Sequence, residues 1–246
     1  MENSRMTLSP ESFKFMADLW TNNSKLWFDE NRKRYEEHVQ KPLKALAESL
    51  SAPVSSILPE FTGKAKVSRI NNDIRFSPNK PLYKQHMWIS FGGVVGTGCA
   101  DLFVGISGSG WSAGAGIGAP KREPLDGWRE NLVAESARWE KYRRALEDSY
   151  GLLVYPENSY SKPLYPAAPA SIQPILQARE VWLVTQPRPD FTGDPTHELY
   201  LALCAILPAH LFMVAPRALL PARLAELGRE IKAPDKTIEK LWKALK

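Results

Sequence analysis

The chain has 246 residues, 43% of them hydrophobic and 24% charged, a globular balance that excludes a disordered chain, whose apolar surface would be too small to offset ordering entropy. No run of about 18 apolar residues predicts a membrane span, the opening Met1-Glu2-Asn3-Ser4-Arg5-Met6 lacks a signal peptide's apolar stretch, and two cysteines, Cys99 and Cys204, cannot build a disulfide framework or a four-thiolate zinc site, so a cytoplasmic protein is expected. The net charge of +5 is concentrated: Lys64, Lys66, Arg69, Arg75, Lys80 and Lys84 stand against one acid, Asp73, and the rest of the chain is balanced.

The first third reads as helical. Ser9-Pro10-Glu11 is a helix start, with Ser as N-cap, Pro in the first turn and an acid near the positive end of the dipole. Phe13, Met16, Leu19 and Trp20 follow at helical spacing, and Asn22-Asn23-Ser24 breaks the helix and caps the next. Trp27, Asn31, Tyr35, Val39, Leu43, Leu46 and Leu50 recur every three or four residues, the clearest helical pattern in the chain. Pro42 lies inside it and should kink or divide it. Residues 52–60, with Pro53 and Pro59, read as a short turn or helix leading out.

Period two takes over at Val67. A strand from Val67 to Phe76 would put Arg69, Asn71, Asp73 and Arg75 on one face and Ile70, Ile74 and Phe76 on the core side. Ser77-Pro78-Asn79-Lys80-Pro81 reads as a turn. Met87–Phe91 and Ala100–Ile106 read as strands. The glycine-rich segment 92–118 alternates at Trp111, Ala113, Ala115 and Ile117, as strands or hairpins do. Leu125, Trp128, Leu132, Trp139, Tyr142 and Leu146 mark one long or two short helices. Residues 151–174 read as a long connection, and 180–185 as a short buried strand. Asp194-Pro195 opens a helix running to Pro208, and helices at 221–231 and 234–245 finish the chain. Helices, then strands, then helices predict an α+β fold, a largely antiparallel glycine-rich sheet between helical layers, in one domain over residues 1–246.

The segment from Arg69 to Lys84 carries the chemistry. Two guanidinium forks bind phosphate or carboxylate at two points each. Asp73, between Arg69 and Arg75, would hold both in position, while Lys80 adds a point charge and Tyr83 a hydroxyl. Tyr83 or His86 is the proton carrier if a reaction occurs, with Asp73 the third catalytic candidate. The plain alternative is a salt-bridged network in which Asp73 neutralises its neighbours. Asn31, within the apolar stripe, is a further ligand-site candidate: a buried amide needs a partner, either on the Arg69–Arg75 strand or locally within the helix.

The pattern Trp27-Phe28-x-x-Asn31-Arg32-x-x-Tyr35, followed by Arg69-x-x-x-Asp73-x-Arg75-Phe76-Ser77-x-Asn79-Lys80-x-x-Tyr83-Lys84, resembles a set of mainly bacterial proteins, the domain-of-unknown-function family twenty-four sixty-one, over residues 13–91. The resemblance brings no established activity. It implies that Arg69, Asp73, Arg75, Phe76, Lys80 and Tyr83 occupy signature positions. The chain departs from the pattern at Asn72, where the family usually has a third Arg, and at Pro81-Leu82, where it usually has Thr or Ser followed by Pro.

No metal or cofactor is expected. His38, His86, His197 and His210 form no helical i, i+4 pair and Cys-x-x-Cys is absent. Gly114-Ala115-Gly116-Ile117-Gly118 is not a dinucleotide fingerprint, and Ser107-Gly108-Ser109-Gly110 resembles no nucleophile elbow. Trp27, Trp111, Trp128, Trp139 and Trp182 fit core spacing better than a base-stacking platform. Lys236, Lys240 and Lys243 opposite Ile238, Leu241 and Leu245 read as a docked amphipathic helix, and no membrane partner is expected. Three readings follow: a pocket for a small anionic ligand, with or without catalysis; a nucleic-acid-binding module using the 64–84 patch; and a purely structural ion-pair network.

Overall fold

The computed structural model describes residues 7–61, 63–75, 79–92, 100–118 and 123–246. Phe76, Ser77, Pro78 and Cys99 lie outside the described residues. Helix α1 (Pro10–Thr21) begins at Ser9, whose extended backbone N–H donates to Ser12 Oγ at 3.0 Å. Phe13, Phe15, Met16 and Leu19 are buried, whereas Trp20, foreseen on the same stripe, is 63% exposed at the end of the helix. Ser24 Oγ accepts from the Trp27 N–H and opens α2 (Lys25–Glu30), which α3 (Arg32–Tyr35) continues after a break at Asn31.

A π-helical segment, Glu36–Gln40, then leads into α4 (Lys41–Ile57). Pro42 divides the helix as its chemistry requires: it has no N–H to offer the carbonyl four residues back, and the turn before it widens, the Lys41 N–H reaching Glu36 O. Pro53 does not end the helix. Burial of Leu50, Val54 and Ile57 carries α4 through it to Ile57, so the helical alternative read for residues 52–60 holds as far as Ile57.

A six-stranded antiparallel sheet follows, in the order β1 (Lys66–Val67), β2 (His86–Ser90), β3 (Ala100–Ser107), β4 (Gly110–Gly118), β6 (Glu180–Thr185), β5 (Leu152–Glu157). Between β4 and β5 lie α5 (Glu123–Ala134) and α6 (Ser136–Tyr150); α7 (Gln173–Gln177) precedes β6. Helix α8 (Pro195–Val214) packs across β3 and β4 and is buried nearly all round from Leu199 to Met213. Among the described residues it is one helix long and apolar enough to cross a membrane, and 72% of that stretch is buried as core. Helices α9 (Leu220–Glu226) and α10 (Lys236–Lys243) close the chain, α10 inserting Ile238, Leu241 and Trp242. The fold is α+β.

Helix α8 runs past the expected end at Pro208 to Val214, and α9 stops at Glu226, short of residue 231. Two elements of the sheet also differ from expectation. The strand foreseen over Val67–Phe76 is a ladder only at Lys66–Val67, with an isolated bridge Asn71↔Tyr83. The ladder ends for a local reason: Asp73 Oδ1 accepts from the Arg75 N–H at 3.2 Å, bending the chain into a side-chain-closed turn. Ile70 is buried as foreseen, but Ile74 is exposed. Within the connection expected over 151–174, Leu152–Glu157 forms edge strand β5; Pro156 is tolerated there because one edge of the strand is unpaired.

Candidate functional site

The turn between α1 and α2 fixes the floor of a cleft. Asn23 Oδ1 accepts from the Tyr83 N–H at 2.9 Å and Asn23 Nδ2 donates to Tyr83 O at 2.8 Å, a two-point clamp across 60 residues of sequence. The Tyr83 ring lies on Phe28 of α2, centroids 4.1 Å apart and planes 14° from parallel. Arg34 bolts α3 to α1 through Glu11 and, at 2.7 Å, Asp18, so the helical wall is rigid. Opposite it runs the chain from Val67 to Asn71, held to residues 82–84 by Asn72 N–H to Leu82 O (3.0 Å) and Lys84 N–H to Ile70 O (2.7 Å).

Between these walls lies a cleft of about 470 Å³, lined by Phe28, Arg32, Tyr35, Gln40, Lys44, Tyr83 and the 67–71 strand. Arg32, Lys44 and Arg69 stand at its exposed mouth, and no carboxylate is among its lining residues. Arg32 is held by Asp29 at 2.5 Å, which raises its pKa, and its guanidinium sits 5.3 Å over Phe28. Arg69 makes no ion pair among the described residues. Burial pushes the Tyr83 phenol up, helped by nearby Asp29, and also raises Tyr35, whose hydroxyl is hydrogen-bonded with Gln40. Both phenols stay protonated at neutral pH and offer donors. Among the described residues no three His, Cys, Asp or Glu side chains gather at metal-binding distance, so the cleft presents cations, hydroxyls and aromatic faces.

The foreseen residues divide between this cleft and its surroundings. Arg69 and Tyr83 line it. Asp73 and Arg75 pair with each other at 2.6 Å, 53% and 77% exposed, away from the lining. The Arg75 guanidinium and backbone hold the Asp73 carboxyl below its usual range. Asp73 makes no bridge to Arg69 among the described residues, so one carboxylate does not orient both forks. Lys80 is exposed and outside the lining. Lys84 donates to Arg69 O (2.5 Å) and Asn71 O (3.1 Å), and burial lowers its pKa; it braces the strand. Asn31 Nδ2 donates to Trp27 O at 2.9 Å, the local alternative, and ends α2. His86 lies on the opposite, open face of the sheet. The buried ion-pair network is not the arrangement found, since Asp73 and Arg75 are exposed.

A family of conserved hypothetical proteins, DUF2461, matches residues 11–198. The chain belongs to this family. No curated protein and no solved structure matches it. The DUF2461 match runs from α1 into the first turn of α8, so it contains the whole cleft and all six strands.

Two cleft residues, Arg32 and Lys44, escaped sequence reasoning. Their signal was helical spacing: Phe28 and Arg32, then Gln40 and Lys44, are i, i+4 pairs on the face beside the apolar stripe. A Gly-x-Ser-x-Gly spacing, Gly110-Trp111-Ser112-Ala113-Gly114, was also passed over. It lies inside the continuous strand β4 rather than at a strand-to-helix turn, so Ser112 is no nucleophile elbow.

Proposed function

We propose that this DUF2461 protein binds a small organic anion, a phosphate or carboxylate on a compact apolar or ring-bearing body, in the cleft between α2–α4 and the Val67–Asn71 strand. The observation that carries this reading is the lining: Arg32, Lys44 and Arg69 converge at the mouth of a 470 Å³ cleft with an aromatic floor and no lining carboxylate. That size suits a small ligand. The guanidiniums of Arg32 and Arg69 supply forked, two-point recognition of the anion, and Lys44 a third charge. Phe28 and Tyr83, stacked one on the other, give the ligand body an aromatic contact. Tyr83 and Tyr35, kept protonated, donate rather than accept protons.

The test is thermal stabilisation by inorganic phosphate and by a panel of phosphorylated and carboxylated ring compounds. Stabilisation should rise with ligand concentration as linkage requires and vanish in Arg69→Ala, whose ligand-free melting temperature stays near that of the parent. Undiminished stabilisation of Arg69→Ala overturns the reading. So does stabilisation by a polynucleotide alone, which would place function on the exposed 64–84 patch instead.

A further inference from the structure

Among the described residues, the helices cover one face of the sheet and leave the other open. On that face three cross-strand rows run side by side: Trp88–Gly105–Ser112, Phe103–Gly114–Val184 and Asp101–Gly116–Trp182–Tyr155. Together they form a trough of about 490 Å³, separate in its lining from the anion cleft. We propose that this trough is a second ligand site, taking an organic cation: an amine or quaternary ammonium on a small ring-bearing body.

The walls are aromatic. Trp88, Phe103 and Trp182 are half-buried and Tyr155 exposed, and none of the described residues covers them. Their posture is set by glycines of β4. A methyl added to Gly114 would stand 2.3 Å from Phe103 Cζ, and one on Gly116 would stand 2.0 Å from Trp182 Cε3. Only glycine leaves room for both rings over β4, where they meet edge to face at 5.9 Å and 69°. The ring face left open in such a pair is its negative side. A cation over such faces is attracted by the ring quadrupole, the recognition used by aromatic cages for quaternary ammonium groups.

Charge selects the same guest. Asp101 and Glu157 line the trough, and neither forms an ion pair among the described residues. Asp101 accepts from Ser90 Oγ at 2.9 Å, which fixes its carboxylate without neutralising it. The basic groups nearby do not oppose this. Lys84 is committed to two carbonyls and to the Trp88 face, 5.2 Å away. His86, stacked on Trp88, is kept neutral at physiological pH by desolvation and by the Lys84 charge. The cleft lined by three cations and the trough lined by two free carboxylates therefore sort ligands of opposite sign.

Isothermal titration of the intact protein with benzyltrimethylammonium, benzyl alcohol and methyl glucoside tests the proposal. The ammonium should bind about tenfold more tightly than benzyl alcohol. Glu157→Gln, at an exposed and unpaired position, should weaken it about threefold without disturbing the fold. Trp182→Ala should abolish it. Arg69→Ala should leave it unchanged while losing phosphate, which separates the two sites. Equal affinity for ammonium and alcohol, preference for the glucoside, no binding of any of the three, or full affinity in Glu157→Gln overturns the proposal.

Discussion

Tyr83 stacks on Phe28, and this contact joins the two segments that carry the family resemblance. Phe28 belongs to the Trp27–Tyr35 helix pair and Tyr83 to the Arg69–Lys84 segment, and their rings are 4.1 Å apart, nearly parallel. Both are buried. Phe28→Ala removes one face of the stack and leaves a cavity under Tyr83, so we expect a loss of about 3–5 kcal/mol in chemical denaturation. Tyr83→Phe keeps the ring and loses only a hydroxyl. It should hold the parent's stability but reduce stabilisation by phosphate. If Tyr83→Phe responds to phosphate as the parent does, Tyr83 is floor and not ligand.

Asn23 fixes the height of that floor through both of its amide groups. Asn23→Ala leaves the Tyr83 N–H and carbonyl to find water or go unpaired. The expected cost is about 1–3 kcal/mol. Because the clamp is local, the effect should appear first as faster amide exchange over residues 70–84, with α8 still protected. Uniform exchange across the chain would instead mean that Asn23 supports the whole fold.

The fold was legible wherever one periodicity ran unopposed. The 27–50 stripe, the alternation at Trp111–Ile117 and the Asp194-Pro195 helix start are all elements of the structure. Even the π-helical turn had a trace. Trp27, Asn31, Tyr35, Val39 and Leu43 step by four throughout, wider than the 3.6 of a regular helix, and the widened turn ends just before Pro42. The site was half legible. Arg69 was found because alternation placed it and Tyr83 because it follows the turn, but alternation stopped at Asn72, where Asn72 Nδ2 donates to Pro81 O at 2.8 Å. Beyond that point Asp73 and Arg75 obey turn chemistry, which period-two reading does not contain. Trp182 misled in the opposite sense: its alternating strand reads as buried, and one sheet face proved open.

His210 makes a prediction about acid stability. It is fully buried in α8, neither ring nitrogen has a hydrogen-bond partner among the described residues, and burial pushes its pKa down to about 4, opposed only in part by the Asp101 backbone. In the unfolded chain the group titrates near 6.5. Between these values the unfolded state takes up a proton that the folded state refuses. Stability is therefore full above about pH 6.5 and falls by about 3 kcal/mol as pH drops towards 4. Denaturation midpoints measured across that window should show this slope, and His210→Gln should flatten it. A parent protein equally stable at pH 7 and pH 4.5 would contradict the assignment.

Asp73 and Arg75 lie in the segment that carries the family resemblance yet pair with each other at an exposed position outside the cleft lining, and the prediction here is that they are dispensable for anion binding. Their hydrogen-bonded ion pair is water-exposed on both sides, where screening and side-chain entropy cancel most of the Coulomb gain. Asp73 also closes its own turn by accepting from the Arg75 N–H, a role that Asn fills as well. Asp73→Asn should leave the melting temperature and phosphate-induced stabilisation at parental values, whereas Arg69→Ala, four residues away, removes the second and not the first. The contrast between neighbours in one motif separates a charge that lines the cleft from a charge that shapes the turn beside it. Loss of phosphate response in Asp73→Asn would mean that the turn closes over the ligand and that the pair belongs to the site.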